Sequence, residues 1–442
     1  MDWLIAVGFG LLVLTAAMAN RTNWERRYIL VSYVGHAAGT AGLMYLFGHH
    51  SDMGLYEEYA LQITRALDTD FRHWAPEVIL MVLRQPNDFP INELGSTLSQ
   101  TGLAGIVFWV TRGGSLEAAC WVIANVAFAG QVLLYGVMRD MVRKEEWKIA
   151  FVSALLVPSV AFWTSGVLKE AWCVGGLGLL AYGAHNLLNR RQVLAAIPAV
   201  MGTVLIALVK PYVLFGIVVA VAAVIGVRKG RVRLVHVMLA TAVAVGGLLV
   251  LTTLYPEWGS ERLGDSIAHQ RYNNQLSGGD TQIDLGNDLD ALRDTSLFAQ
   301  LKVLPLALLT ALFRPLPFEA RKISQLSAAI ENTVIIVLLV QLFIRAKRGQ
   351  LLREIVSTPI LAGSIVFVLT FSAGIGLGAQ NLGGLSRFKV PMMPFYFLLL
   401  LVLRRRVAAA VPATLRVVRA RAPRATMAAR HAKALELVGR RR

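Results

Sequence analysis

The residues best suited to chemistry cluster where apolar runs meet polar loops. In "SDMGLYEEYALQI", Asp52, Tyr56, Tyr59 and Ile63 recur at helical spacing, so one helix face presents a carboxylate at its start with two phenols behind it. A carboxylate at the edge of an apolar run suits proton abstraction from a hydroxyl, and phenols suit contact with a sugar ring. The alternative reading makes Asp52 the N-cap of the helix and leaves Glu57 and Glu58 solvated. In "PSVAFWTSGVLKEAW", Lys169 and Glu170 open an apolar span; there Lys169 suits a phosphate and Glu170 a sugar hydroxyl, the alternative being a lysine that snorkels to headgroups. "LFRPLPFEARK" offers Arg314, and "SRFKVPMMPF" offers Arg387 and Lys389, all three cations fit for a lipid-borne phosphate or for ordinary headgroups.

Metal chemistry is less well marked. His49 and His50 precede Asp52, but adjacent helical residues diverge by about 100° and no third ligand stands at a diagnostic spacing. Asp68 and Asp70 form a D-x-D triplet that leaves room for a divalent cation, although a polar turn explains it as well. No metal ligand and no cofactor is therefore assigned. Cys120 and Cys173 both fall inside apolar runs and read as packing residues.

The elements that position these residues are set by composition. Of the 442 residues 56% are hydrophobic, and the mean hydropathy is +0.57, which points to a membrane protein. Crossing ~30 Å of hydrocarbon takes ~20 apolar residues. Runs near that length begin at Trp3, Tyr28, Ala118, Ile149, Ala171, Leu234, Ser324, Val356 and Val390, and the run 193–227 is interrupted at Lys210-Pro211 into a pair of short spans. That predicts about eleven crossings in an all-α polytopic bundle. Leu103–Val110 and Val303–Phe313 are too short to cross and read as re-entrant or interfacial helices. Residues 1–403 form one transmembrane unit, with outward loops at 49–117 and 256–300, followed by a basic tail at 404–442.

Orientation follows from the excess of Lys and Arg on cytoplasmic loops. The clusters at Arg26-Arg27, Arg143-Lys144, Arg190-Arg191, Arg228-Lys229, Lys347-Arg348 and Arg404–Arg406 fall on one face in this arrangement. The N-terminus is then outside, the C-terminus cytoplasmic, and Asp52 outward; Trp3–Ala19 reads as a retained span. The setting is a bacterial inner membrane. The net charge is +17, yet the tail from Arg404 to Arg442, with twelve Lys or Arg against Glu436 alone, supplies +11 of it. Such a tail suits anionic membrane lipids, and without interleaved aromatics it gives no footprint for nucleic acid.

In this order the pieces resemble the GT-C superfamily of integral membrane glycosyltransferases, in particular family 39-like enzymes that use a polyprenyl-phosphate sugar. The resemblance rests on Asp52 opening the first large outward loop, the stretch from "ANVAFAGQVLLYGVMRDM" to "LLVPSVAFWTSGVLKEAWCVGGLGLLAYG", the short helices of that loop, and "SRFKVPMMPF", similar to an R-Y/F-x-x-P-x-x-P element. It implies Asp52 as the base that deprotonates an acceptor hydroxyl, and Arg387, Lys389 and Lys169 as contacts of the departing lipid phosphate. The chain differs in having an extra span before the one leading to Asp52. The function so implied is transfer of a sugar from a polyprenyl-(di)phosphate donor to a glycan, lipid or protein acceptor. A polysaccharide polymerase or ligase, a lipid-linked glycan transporter or flippase, and a scaffold subunit remain as alternatives.

Overall fold

The computed structural model describes residues 2–228, 283, 297–379 and 381–410. Among these described residues the regular elements are all helices, without a β-strand. The first helices are α1 (Asp2–Met18), α2 (Asn23–Leu46), α3 (Asp52–Thr69), α4 (Phe71–Val82), α5 (Gly95–Val110) and α6 (Leu116–Met141). They are followed by α7 (Trp147–Leu155), α8 (Pro158–Trp163), α9 (Lys169–Arg190), α10 (Ala196–Val209) and α11 (Tyr212–Arg228). After the undescribed stretch come α12 (Leu297–Phe313), α13 (Ile323–Arg345), α14 (Gln350–Ser357), α15 (Pro359–Gly378), α16 (Leu382–Phe388) and α17 (Met393–Ala409).

Six helical segments among the described residues are long and apolar enough to cross a membrane: Asn23–Leu46, Leu116–Met141, Lys144–Trp163, Gln325–Arg345, Pro359–Gly378 and Leu382–Ala409. Four more, Asp2–Met18, Val193–Val209, Tyr212–Val227 and Lys302–Phe313, are apolar but shorter. The run beginning at Leu234 and the loop 256–300 lie almost wholly outside the described residues. Large apolar side chains stay exposed along α1, α2 and α13, among them Leu12, Val34, Val337 and Phe343, as expected of faces turned to lipid rather than water.

Several elements depart from the sequence reading for identifiable reasons. The two short stretches extend into the full helices α5 and α12: the polar start "GSTLSQTG" of α5 is helical and buried from Leu98 to Gly102, and α12 begins at Leu297, ahead of Gln300 and Lys302. The run at 149–165 breaks at Pro158, which lacks the N–H a continuous helix needs and instead sits at the start of α8. The boundary expected at 403/404 falls inside α17. Arg406 there is buried against Glu146 at 2.7 and 3.0 Å and against Glu354 at 3.0 Å, locking the last helix to the α6–α7 turn and to α14.

The centre is a close stack of α6, α9 and α10. A Cβ at Gly178 would collide with the backbone of Gly130, so α6 and α9 meet backbone to backbone, as small residues allow in membrane bundles. One large core runs through the bundle, and a second, built on Ile63, Leu67, Met81 and Phe89, binds α3, α4 and α5 into a cap at one end. Arg84 docks this cap on the bundle by donating to the carbonyls of Ala207 (2.8 Å) and Leu208 (2.6 Å) at the C-terminus of α10, where a cation also meets the helix dipole.

Candidate functional site

The site forms where α3, α9 and α16 converge beneath the cap. Ser51, not Asp52, caps α3: its hydroxyl accepts from the Met53 N–H at 3.2 Å. Asp52 is thereby freed from the capping role and stands in the first turn with its side chain 63% exposed. The preceding turn, Gly48–His50, folds back so closely that a Cβ at Gly54 would run into the His49 carbonyl oxygen. That contact fixes the direction in which α3 leaves the bundle and hence the position of Asp52.

Arg387 Nη1 donates to Asp52 Oδ2 at 2.8 Å. Arg387 Nε lies 2.8 Å from Glu170 Oε2, an ion pair without hydrogen-bond alignment. On its other oxygen Glu170 accepts from Lys210 Nζ at 2.6 Å. Glu170 is fully buried and Lys210 nearly so, so their charges depend on this chain of alternating sign. Lys169, next to Glu170, donates to the hydroxyls of Ser96 (3.0 Å) and Thr97 (2.9 Å) in the first turn of α5. With Lys322 nearby, the cations Arg387, Lys210, Lys169 and Lys322 outnumber the anions Asp52 and Glu170.

A cavity of about 250 Å³ opens beside this chain. Asp52, Arg387, Lys322, Gln325 and Asn381 supply its polar wall, and Leu43, Phe47, Trp163 and Leu168 its apolar one. Asn381 is held by its capping bond from the Gly384 N–H at 2.6 Å, and Gln325 by accepting from the Arg321 N–H at 3.0 Å. Directly alongside runs an apolar groove of about 470 Å³ between α2, α7, α8 and α13, lined by Gly39, Leu46, Phe162 and Ile323. Leu46, Phe162 and Ile323 are sequence neighbours of the cavity residues Phe47, Trp163 and Lys322, so the charged cavity and the groove adjoin.

Of the residues singled out from the sequence, Asp52, Arg387 and Glu170 are thus brought together, with Lys169 adjoining through α9. Tyr56 is buried beneath them, and burial raises its phenol pKa well above the ordinary value, keeping it a neutral donor. Tyr59 packs instead against the second core. Arg314 and Lys389 do not line the cavity. Arg314 Nη2 pairs with Glu319 Oε1 at 2.6 Å, and Lys389 is buried, donating to Asn332 Oδ1 and the Arg314 carbonyl at 2.9 Å each. The reading of these two as phosphate contacts therefore lacks the necessary placement.

Neither metal proposal gathers ligands. His49 pairs with Glu57, Asp68 accepts from the Trp109 indole, and Asp70 caps α4. Among the described residues no group of three or more His, Cys, Asp or Glu side chains could hold a metal ion.

Lys210 is a site residue that reasoning from motifs passed over, whereas Lys322 belongs to the outward basic group of "LFRPLPFEARK". For Lys210 a signal was present, since an ionisable side chain inside a long apolar run marks a functional or paired position by default. Comparison with known proteins finds no matching family model, no matching curated protein and no matching solved structure.

Proposed function

We propose that the chain is a polytopic membrane glycosyltransferase that moves a sugar from a polyprenyl-phosphate or polyprenyl-diphosphate carrier to a glycan, lipid or protein acceptor on the extracytoplasmic face. It would have about eleven crossings in a GT-C-like arrangement, with the N-terminus outside and the C-terminus in the cytoplasm. The observation that carries the proposal is the Asp52–Arg387 pair on the wall of a net-cationic cavity that adjoins an apolar groove.

In the reaction the carrier's apolar chain lies in the groove and its phosphate enters the cavity. The phosphate competes with Asp52 for Arg387, since both are anions seeking the same guanidinium fork. Asp52, released, takes the proton from the acceptor hydroxyl, whose oxygen attacks the anomeric carbon. The bond from that carbon to the phosphate oxygen breaks, and the phosphate leaves with the electron pair into the field of Arg387 and Lys322. Glu170 and Lys210 hold Arg387 in place. One carboxylate for the acceptor and cations for the leaving group suffice for inversion.

The test uses the purified protein in proteoliposomes with a panel of polyprenyl-phosphate sugars, reading release of polyprenyl phosphate. Asp52→Asn should lower turnover by about 10²- to 10⁴-fold, the usual contribution of a general base, while binding of polyprenyl phosphate persists. Unchanged turnover would remove Asp52 from the chemistry. A second reading, transport of a lipid-linked glycan, is favoured by the ionic pair Glu170–Lys210 at the break between α10 and α11, because broken helices with ionisable groups are common at transport sites. Movement of the carrier between leaflets with no covalent change would select it.

A further inference from the structure

A second polar region lies at the end of the bundle opposite Asp52 and Arg387. Lys169 and Arg190 stand at the two ends of α9, separated by 21 residue steps or roughly 32 Å. Around Arg190 the ends of α6, α7 and α9 enclose an open bowl of about 660 Å³. Its ionisable lining is Arg139, Lys144, Arg190, His185 and a single acid, Asp140. Asp140 is shared: Arg190 Nη2 reaches it at 2.9 Å and His185 Nε2 at 3.5 Å. Lys144 has no ion pair among the described residues, whereas Arg139 Nη1 is engaged by the buried Glu25 at 3.0 Å and its Nε lies 3.9 Å from Asp140. With Arg139 paired to Glu25 and Arg190 to Asp140, Lys144 remains as the positive excess of the bowl's lining.

The bowl is continuous with a cleft of a different character. Met141, His185 and Asn189 line both, and past them the walls are almost wholly apolar, formed by Leu134, Leu180, Val221, Ile360 and Phe367, around about 140 Å³. Asn189 Nδ2 lies 2.9 Å from His185 Nδ1, so a polar collar marks the boundary. A cationic bowl leading through a polar collar into an apolar cleft between helices matches one kind of molecule, a charged phosphate joined to a hydrocarbon chain. A free anion would leave the cleft unused, and the tail 411–442, rich in Arg, has the wrong sign for the bowl.

We propose that this end of the molecule is a binding site for an anionic phospholipid of the adjoining leaflet, which is the cytoplasmic one in the orientation proposed above. Its phosphate rests on Lys144 and Arg190, and the start of one acyl chain enters the cleft. Basic pockets between membrane helices hold anionic headgroups in this way. The site is separate from the proposed glycosyl-transfer chemistry and does not depend on it. It also differs from a lipid contact made through the basic tail, since every residue named lies in the helical bundle.

The experiment places the full-length protein in nanodiscs of phosphatidylcholine with a minor fraction of phosphatidylglycerol and counts retained lipids by native mass spectrometry. Wild type should retain phosphatidylglycerol selectively. Lys144→Gln combined with Arg190→Gln should weaken that retention by about 30-fold, the factor two headgroup cations supply together. Ala184→Phe, which fills the cleft without touching a charge, should weaken it too, whereas Lys144→Arg with Arg190→Lys should restore it. Monodisperse elution of each variant shows that folding is intact. Equal retention of both lipids by wild type would overturn the site, as would a charge-depleted or cleft-filled variant that keeps its lipid. Glycerol phosphate binding as tightly as phosphatidylglycerol would overturn it in favour of a headgroup-only anion site.

Discussion

Glu170 is the residue on which the ionic chain turns, because it meets two cations from a fully buried position. Replacing it with Gln leaves Arg387 and Lys210 facing one another without an intervening charge, and breaking a buried pair in this way costs about 3–5 kcal/mol. Glu170→Gln should therefore lower the thermal unfolding midpoint in detergent markedly. Asp52→Asn, at an exposed position, should leave that midpoint nearly unchanged, a surface pair being worth ~0–1 kcal/mol. Equal effects of the two would mean that Glu170 is not the structural anchor. The sequence made Asp52 and Arg387 readable as candidates because each stands at the junction of an apolar run and a polar loop. It did not reveal that Arg314 answers to Glu319 or Lys389 to Asn332, since counting outward cations says nothing about partners inside the chain. Lys210 was read only as a helix break; its acid stands 40 residues earlier, at a spacing no local motif encodes.

Among the elements, α3 shows how a local backbone contact serves a distant pairing. A methyl group at Gly54 would strike the His49 carbonyl, so Gly54→Ala should destabilise the protein and disturb the seat of Asp52. Gly8→Ala makes a sharp control: a Cβ placed there meets nothing within 4 Å beyond its own helix backbone and chain neighbours, and an open helical Gly→Ala change stabilises by about 1 kcal/mol. Paired thermal scans of the two variants, together with transfer activity, check this; loss of stability confined to Gly54→Ala is the expected outcome. The long apolar helices were legible because hydropathy alone determines them. The full extents of α5 and α12 were not: the hydroxyl- and glycine-rich first turns of α5 carry little hydropathic signal, and Gln300 and Lys302 interrupt the apolar run of α12. Asp52 as N-cap was a sound local reading that Ser51, one residue earlier, pre-empts.

On the scale of the whole molecule, the two ends are chemically unlike: a capped end with Asp52, Arg387 and Lys322, and a more basic end with Arg139, Lys144, Arg190 and Arg406. The orientation proposed for them predicts that, in a background lacking Cys120 and Cys173, a Glu58→Cys chain in intact cells reacts with a membrane-impermeant maleimide. An Arg190→Cys chain should react only after permeabilisation. The reverse pattern would turn the molecule over and remove the extracytoplasmic reaction. That orientation rests on comparing basic clusters along the sequence, whereas the enclosure of the opposite bowl required the fold, because its residues come from separate helices.

The union of Asp52 with Arg387 spans 335 positions, and the arginine lies in the penultimate described helix. During synthesis α3 and α9 leave the ribosome long before that cation exists, so of Glu170's two cationic partners among the described residues Lys210 is made first. Chains halted before Leu382 lack the arginine that meets both Glu170 and Asp52. Arrival of α16, followed by the Arg406 contacts of α17, completes the ion chain late in synthesis, so the assembled cluster marks a chain whose described helices are all made.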